Sequence, residues 1–160
     1  LKAVHPETGF FGKLPTAGDF IGRGLRPGVR PVMDRFLTAK LSQHAATPDL
    51  WPSEGLRGVI KGPNGDLLLC ILPSRDSADR AFPIAACVGL NAAALAEADR
   101  WADQTYPVLL NARSADDMVA GLANIQPPEP GAPALASPAL WQRGTLPEGP
   151  EAVITRLFGA

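Results

Sequence analysis

The chain has 160 residues, 46% of them hydrophobic and 19% charged, with a formal net charge of −1. That length predicts a single domain with a substantial core, and the composition excludes a disordered chain. Near-neutrality leaves no electrostatic footprint for nucleic acid or an anionic membrane, and the longest aliphatic run, LLLCIL at 67–72, falls far short of the ~20 residues that a spanning helix needs.

The opening stretch, LKAVHPETG, lacks the apolar core of a secretory signal, and without a leading Met it leaves open whether residues precede Leu1. GFFGKLPTAGDF, 9–20, is too broken for a helix and too apolar for an ordinary surface linker. In an extended conformation Phe10 and Phe11 point to opposite faces, so that one can enter the core. Gly9 and Gly12 permit close backbone approach, Pro15 ends the strand and Gly18 allows a turn before Asp19. A ligand loop would need converging donors, and this stretch offers mainly Lys13, Thr16 and Asp19, so the residues alone favour a structural corner.

The segment 30–46 places Met33, Phe36, Leu37, Lys40 and Leu41 at helical spacing, with Pro31 tolerated in the first turn. TPDLWPSEG, 47–55, stops that helix with two prolines and a glycine. Apolar runs at 56–61 and 66–72 flank GPNG, and Asn64-Gly65 is expected to supply the positive φ angles of a tight hairpin. The second run is apolar on both faces and reads as a central strand. A third strand is expected within 81–90, joined through the charged loop PSRDSADR, which makes an antiparallel meander the simplest arrangement.

Residues 93–113 read as a helix with Leu95, Ala98, Trp101, Ala102 and Tyr106 on one face, ended or kinked near Pro107. A further helix is expected at 114–125, with Ser114 as N-cap and Asp116 and Asp117 in the first turn. Residues 126–150 hold seven prolines and three glycines, so they cannot be regular throughout. They form either a mobile connection or an extended arm fixed by Leu140 and Trp141. The last ten residues read as a short helix with Val153, Leu157 and Phe158 inward. Together the elements predict a single-domain α+β fold, a mostly antiparallel sheet with helix 31–45 laid on one face.

Catalytic signals are sparse. His5 and His44 have no metal-ligand spacing, and Cys70 and Cys87 read as reduced, buried thiols, so neither a metal nor another cofactor is expected. Ser74 lacks the glycines of a nucleophile elbow. The GRG at 22–24 is a turn more than a phosphate loop, and Arg23, Arg26 and Arg30 lack the interleaved aromatics of a nucleic-acid surface. Asp76 and Asp79 sit beside Arg75 and Arg80, which favours ion pairs over a raised-pKa general acid. Asp76 is expected to be a structural acceptor, held by Arg80 or by N–H groups of its own turn.

Two stretches carry a resemblance. GFFGKLPTAGDFIGRGL, 9–25, resembles the opening motif of the TagF/ImpM family of accessory proteins of the bacterial type VI secretion system, through Gly12, Lys13, Pro15, Gly18, Asp19 and Phe20. PSRDSADRAFPI, 73–84, resembles the family's second block through Pro73, Asp76, Arg80, Phe82 and Pro83. RPVMDRFLTAKL is similar to a family helix through Asp34 and Leu37, and LWQRGTLPEGPEAVITRLF to the closing strand and helix, so the resemblance spans about 7–160. Ser77 stands where the family often has Arg, Asp79 replaces a usual Gly and Ala81 a usual aromatic. The segment 47–56 is compressed relative to the family, with an expected effect on partner specificity.

The resemblance implies an α+β fold and a non-enzymatic cytoplasmic repressor that contacts a forkhead-associated (Fha) scaffold protein of the secretion apparatus. In some members the same chain carries a PppA-like phosphatase domain, and none is expected within this sequence, which holds no acidic metal-site run. Lys13, Asp19, Arg23, Arg75 and Asp79 are the exposed contact candidates, with Trp51 either an anchor or a core residue. The competing readings are a profilin-like or longin-like dimerisation module unrelated to secretion, and a small hydrolase using Asp76 or Asp79 with Arg80.

Overall fold

The structure, a computed structural model, describes residues 8–159, and the readings of the opening seven residues, His5 included, lie outside them. The described residues form six strands and four helices in the order β1 Gly9–Gly12, β2 Ile21–Arg23, α1 Val29–Lys40, β3 Leu56–Gly62, β4 Gly65–Leu72, β5 Ile84–Gly89, α2 Leu95–Asn111, α3 Ala115–Leu122, β6 Ala139–Trp141 and α4 Pro150–Phe158. The strands form one sheet in the order β2-β1-β5-β4-β3-β6, and every neighbouring pair is antiparallel. The fold is α+β. Among the described residues no helix is long and apolar enough to cross a membrane.

Successive side chains of a strand face opposite ways, and here both faces are dry. Phe10, Val59, Leu68, Cys70, Ala86 and Trp141 pack under α2 and α3, against Trp101 and Met118. Phe11, Leu56, Leu69, Ile71, Ala85 and Leu140 pack under α1 and α4, against Met33, Leu37 and Val153. Adjacent phenylalanines therefore both enter a core, one on each side, where the sequence alone promised one.

Several local expectations shift. Helix α1 stops at Lys40, and a single 3-10 turn, Ser42–His44, continues it. Leu41 is buried, but Phe36 is half-buried at the edge of the core. The β3–β4 hairpin closes through Pro63 and Asn64, with Gly62 opposite Gly65. Gly65 alone of the Asn64-Gly65 pair has positive φ, at 127°, because Pro63 fixes its own φ near −65° and a type I′ turn is excluded. Helix α2 runs past Pro107 to Asn111. Pro107 is exposed, while Leu109 beyond it is 4% exposed and ties the last turn to the core.

The proline-rich segment resolves into an arm. Leu140 and Trp141 are fully buried, and Leu140 exchanges backbone hydrogen bonds of 2.9 and 3.0 Å with Glu148, which covers the outer edge of β6. Helix α4 buries Val153 and Ile154, with Leu157 and Phe158 half-buried. Trp51 belongs to this face. It is 7% exposed, its Nε1 donates to the His44 carbonyl at 2.9 Å, and its ring meets Phe158 edge-on at 5.6 Å. The anchor alternative for Trp51 is therefore replaced by the core one.

Candidate functional site

The two motif blocks meet where β1 ends and β5 begins. The Lys13 N–H donates to the Pro83 carbonyl at 3.3 Å, and the Ser74 hydroxyl donates to the Lys13 carbonyl at 2.8 Å. Between them the chain 75–81 folds into a closed loop. The Phe82 N–H reaches the Ser74 carbonyl at 3.0 Å, and the Asp76 N–H reaches the Arg80 carbonyl at 3.0 Å.

Asp76 is the centre of that loop. Its Oδ1 accepts from the N–H groups of Ala78 and Arg80, both at 2.9 Å, and its Oδ2 accepts from Arg80 Nε at 2.8 Å and Lys13 Nζ at 3.1 Å. Arg80 Nη2 continues to the Gly18 carbonyl at 2.7 Å, and the Ser77 N–H donates to the Ala17 carbonyl at 2.8 Å. One carboxylate thus staples the second block to the first.

Rings close the other side. Phe20 stacks on Phe11 at 5.7 Å and meets Phe82 edge-on at 4.8 Å. The Lys13 ammonium lies 4.8 Å from the Phe20 ring centroid, and the Arg30 guanidinium lies 4.9 Å from that of Phe11. Phe20 keeps 39% of its surface in solvent.

This geometry sorts the sequence candidates. Gly12, Lys13, Gly18, Phe20, Asp76, Arg80, Phe82 and Pro83 come together, with Pro73 beside them. Lys13 is 7% exposed, so it is not a surface contact: the buried carboxylate of Asp76 holds its ammonium inside. Pro15 and Asp19 are exposed, and an Asp19 carboxylate oxygen takes the Phe20 N–H at 2.7 Å. Arg23 sits apart on β2, exposed. Arg75 is half-buried, and its Nη1 donates to the Asp79 carbonyl at 3.0 Å.

Burial works to raise the Asp76 pKa. The N–H groups of Arg80 and Ala78, the Lys13 ammonium and the Arg80 charge outweigh it and bring the value from 3.8 down to about 2. A carboxyl held that low stays ionised, the opposite of what a general acid requires. Because the folded value is depressed, the stabilisation is complete above the unfolded pKa near 4 and disappears as pH falls through 2. Asp76→Asn is therefore expected to be less stable than the parent at neutral pH and to lose less stability between pH 4 and pH 2. Urea unfolding at a series of pH values checks this, and parallel acid limbs for the two proteins would refute it.

Asp79 explains one departure from the family pattern. Its φ is +66° and its side chain is 86% exposed. Asp tolerates this left-handed conformation better than most residues, while Gly adopts it without strain. Asp79→Gly is expected to leave stability within about 1 kcal/mol of the parent, and Asp79→Val to cost about 1–2 kcal/mol. Urea denaturation midpoints at constant m separate the two.

A second charged cluster was not foreseen. Arg57, on β3, is 1% exposed; its Nη1 and Nη2 donate to Asp99 and Asp103 of α2, both at 2.6 Å, with Glu54 at 3.6 Å. Trp141 Nε1 donates to the same Asp99 oxygen at 2.9 Å, while Arg57 Nε has no partner. Burial opposes the guanidinium charge, but the hydrogen bonds that Asp99 and Asp103 accept from it and their charges prevail and raise its pKa. The available signal was an arginine inside an apolar run together with two aspartates four residues apart on one helix face.

Cys70 and Cys87 lie on opposite faces of the sheet, and burial pushes both thiols up to about 12, where they are unreactive. Among the described residues no three His, Cys, Asp or Glu side chains come together to hold a metal ion.

A family model described as the TagF N-terminal domain, type VI secretion system-associated, matches residues 9–125. That span contains both motif blocks and leaves β6 and α4 outside. The fold is similar to the crystal structure of PA0076 from Pseudomonas aeruginosa PAO1, with a TM-score of 0.58 and 20% identity, over 94% of this chain and 76% of that one. No curated protein matches the chain.

Proposed function

The chain belongs to the family of TagF N-terminal domains associated with type VI secretion, and from that premise we propose that it is a non-catalytic regulator that represses secretion by binding an Fha-type scaffold protein in the cytoplasm. One observation carries the non-catalytic part of this reading. The charged side chains at the heart of both motif blocks, Lys13, Asp76 and Arg80, are bonded to one another and to backbone. They build a rigid corner and aim no acid or base at a substrate. What the corner presents outward is shaped surface, which suits recognition of a protein. With a net charge of −1, association is expected at an ordinary rate with weak salt dependence.

The test joins a calorimetric titration of the purified domain against the Fha protein of the same gene cluster with deletion of the gene in a secreting strain. Binding at micromolar affinity and raised secretion in the deletion strain are expected. Absence of binding together with unaltered secretion would overturn the reading.

A further inference from the structure

Beside the Asp76 corner the two motif loops form walls of a groove of about 420 Å³, a size within the ~300–1,000 Å³ common for binding sites. Leu14 and Pro15 come from the first block, Pro73 and Arg75 from the second, and Leu110 and Arg113 from the end of α2 and just beyond it. Three features argue for an occupant. Leu110 is 58% exposed over a largely apolar floor. The lining contains two arginines and no carboxylate. Among the described residues the Arg113 guanidinium has no partner, whereas Arg75 is held at the rim by the carbonyls of Asp79 and Ala46 and pairs with the Asp79 carboxylate at 3.7 Å.

The walls are also set in advance. Pro15, Pro48 and Pro73 fix their own backbone, and the Thr16 hydroxyl donates to the Arg113 carbonyl, which ties the first loop to the segment after α2. The last carbonyls of the helix are partly taken as well, since the Ala112 N–H reaches Val108 at 3.0 Å. Little ordering is left for the binding event to impose.

The geometry points to this groove as the docking site for a segment of a partner protein that sets an apolar side chain against Pro15 and Leu110 and a carboxylate against Arg113, with Arg75 at the other end. The inference rests on the reading of the domain as a protein-binding regulator and adds the chemistry of the bound segment. Both variants that test it change exposed positions: Leu110→Glu, which removes the apolar contact, and Arg113→Glu, which reverses the charge.

The first probe is a phage-displayed library of short random peptides selected on the intact domain. Selected peptides are expected to combine an aliphatic or aromatic residue with a nearby Asp or Glu. By fluorescence anisotropy they should bind each variant at least ~10-fold more weakly at an unchanged melting midpoint. A selection that yields no peptide, peptides without that pattern, or peptides indifferent to both variants overturns the groove. The second probe is the Fha scaffold itself. A scaffold that binds parent and variants alike removes the groove while the regulatory reading stands. Peptides that behave as expected, beside a scaffold that ignores the domain, support the groove and remove the scaffold.

Discussion

Arg57→Ala is expected to destabilise the domain by about 3–5 kcal/mol, the range for breaking a buried ion pair by removing one partner. The substitution empties a site that is 1% exposed and leaves Asp99 without a cation, while Asp103 and Glu54 keep only Arg143, at 3.7 and 3.0 Å. It also loosens Trp141, whose Nε1 donates to the oxygen of Asp99 that Arg57 holds. Asp103→Ala should cost much less, since Asp103 is 45% exposed and Arg57 keeps Asp99. Arg57→Met keeps most of the volume and separates packing from charge. Urea unfolding of the three variants decides the matter, and a loss below ~1 kcal/mol for Arg57→Ala would mean that the network contributes little.

Gly12→Ala is expected to cost about 2–6 kcal/mol, the sum of backbone strain and overpacking. Gly12 has φ +144°, and a Cβ there would stand 2.1 Å from the Pro83 carbonyl oxygen and 2.8 Å from Ile84 Cα. Both obstacles are backbone, so no rotamer relieves the clash. The register Gly12↔Ile84 and the Lys13 contact with Asp76 both depend on that approach. Thermal unfolding of the variant measures the loss. A melting midpoint equal to that of the parent would show that β1 and β5 can separate without harm.

What the sequence revealed follows from distance along the chain. The β3–β4 hairpin, the Ser114 cap, whose hydroxyl takes the Asp117 N–H at 3.1 Å, and the Asp76–Arg80 pair are signals between near neighbours. The Lys13 contact with Asp76 is not such a signal. A lysine between a glycine and a leucine carries no mark of burial, and its partner arrives in another block, so default exposure was the natural reading. Arg57 was obscured for the same reason, with its carboxylates on α2. Trp51, between Leu50 and Pro52, had no periodicity to set its side, and the ring of Phe158 settles it from the far end of the chain. Of the candidate site, the corner was partly legible from its motifs. The groove was not, because Leu14, Arg75 and Leu110 share no local pattern.

The position of β5 has a consequence for how the molecule comes together. It lies between β1 and β4, and so joins two hairpins, β1–β2 and β3–β4, that otherwise share no strand pairing. Both are synthesised first and both must wait with an open edge. Until Ile84–Gly89 emerges, LLLCIL has a partner on one side only, and such uncharged, β-prone runs are the ones that self-associate. The charged loop that separates it from β5, rich in Arg and Asp, stands guard during that interval. Closure of the sheet over so long a stretch of chain also makes folding slower than in a helical bundle of equal size. A chain truncated before Ile84 would hold two ribbons with no strand pairing between them, and only the arrival of that one strand turns them into a sheet.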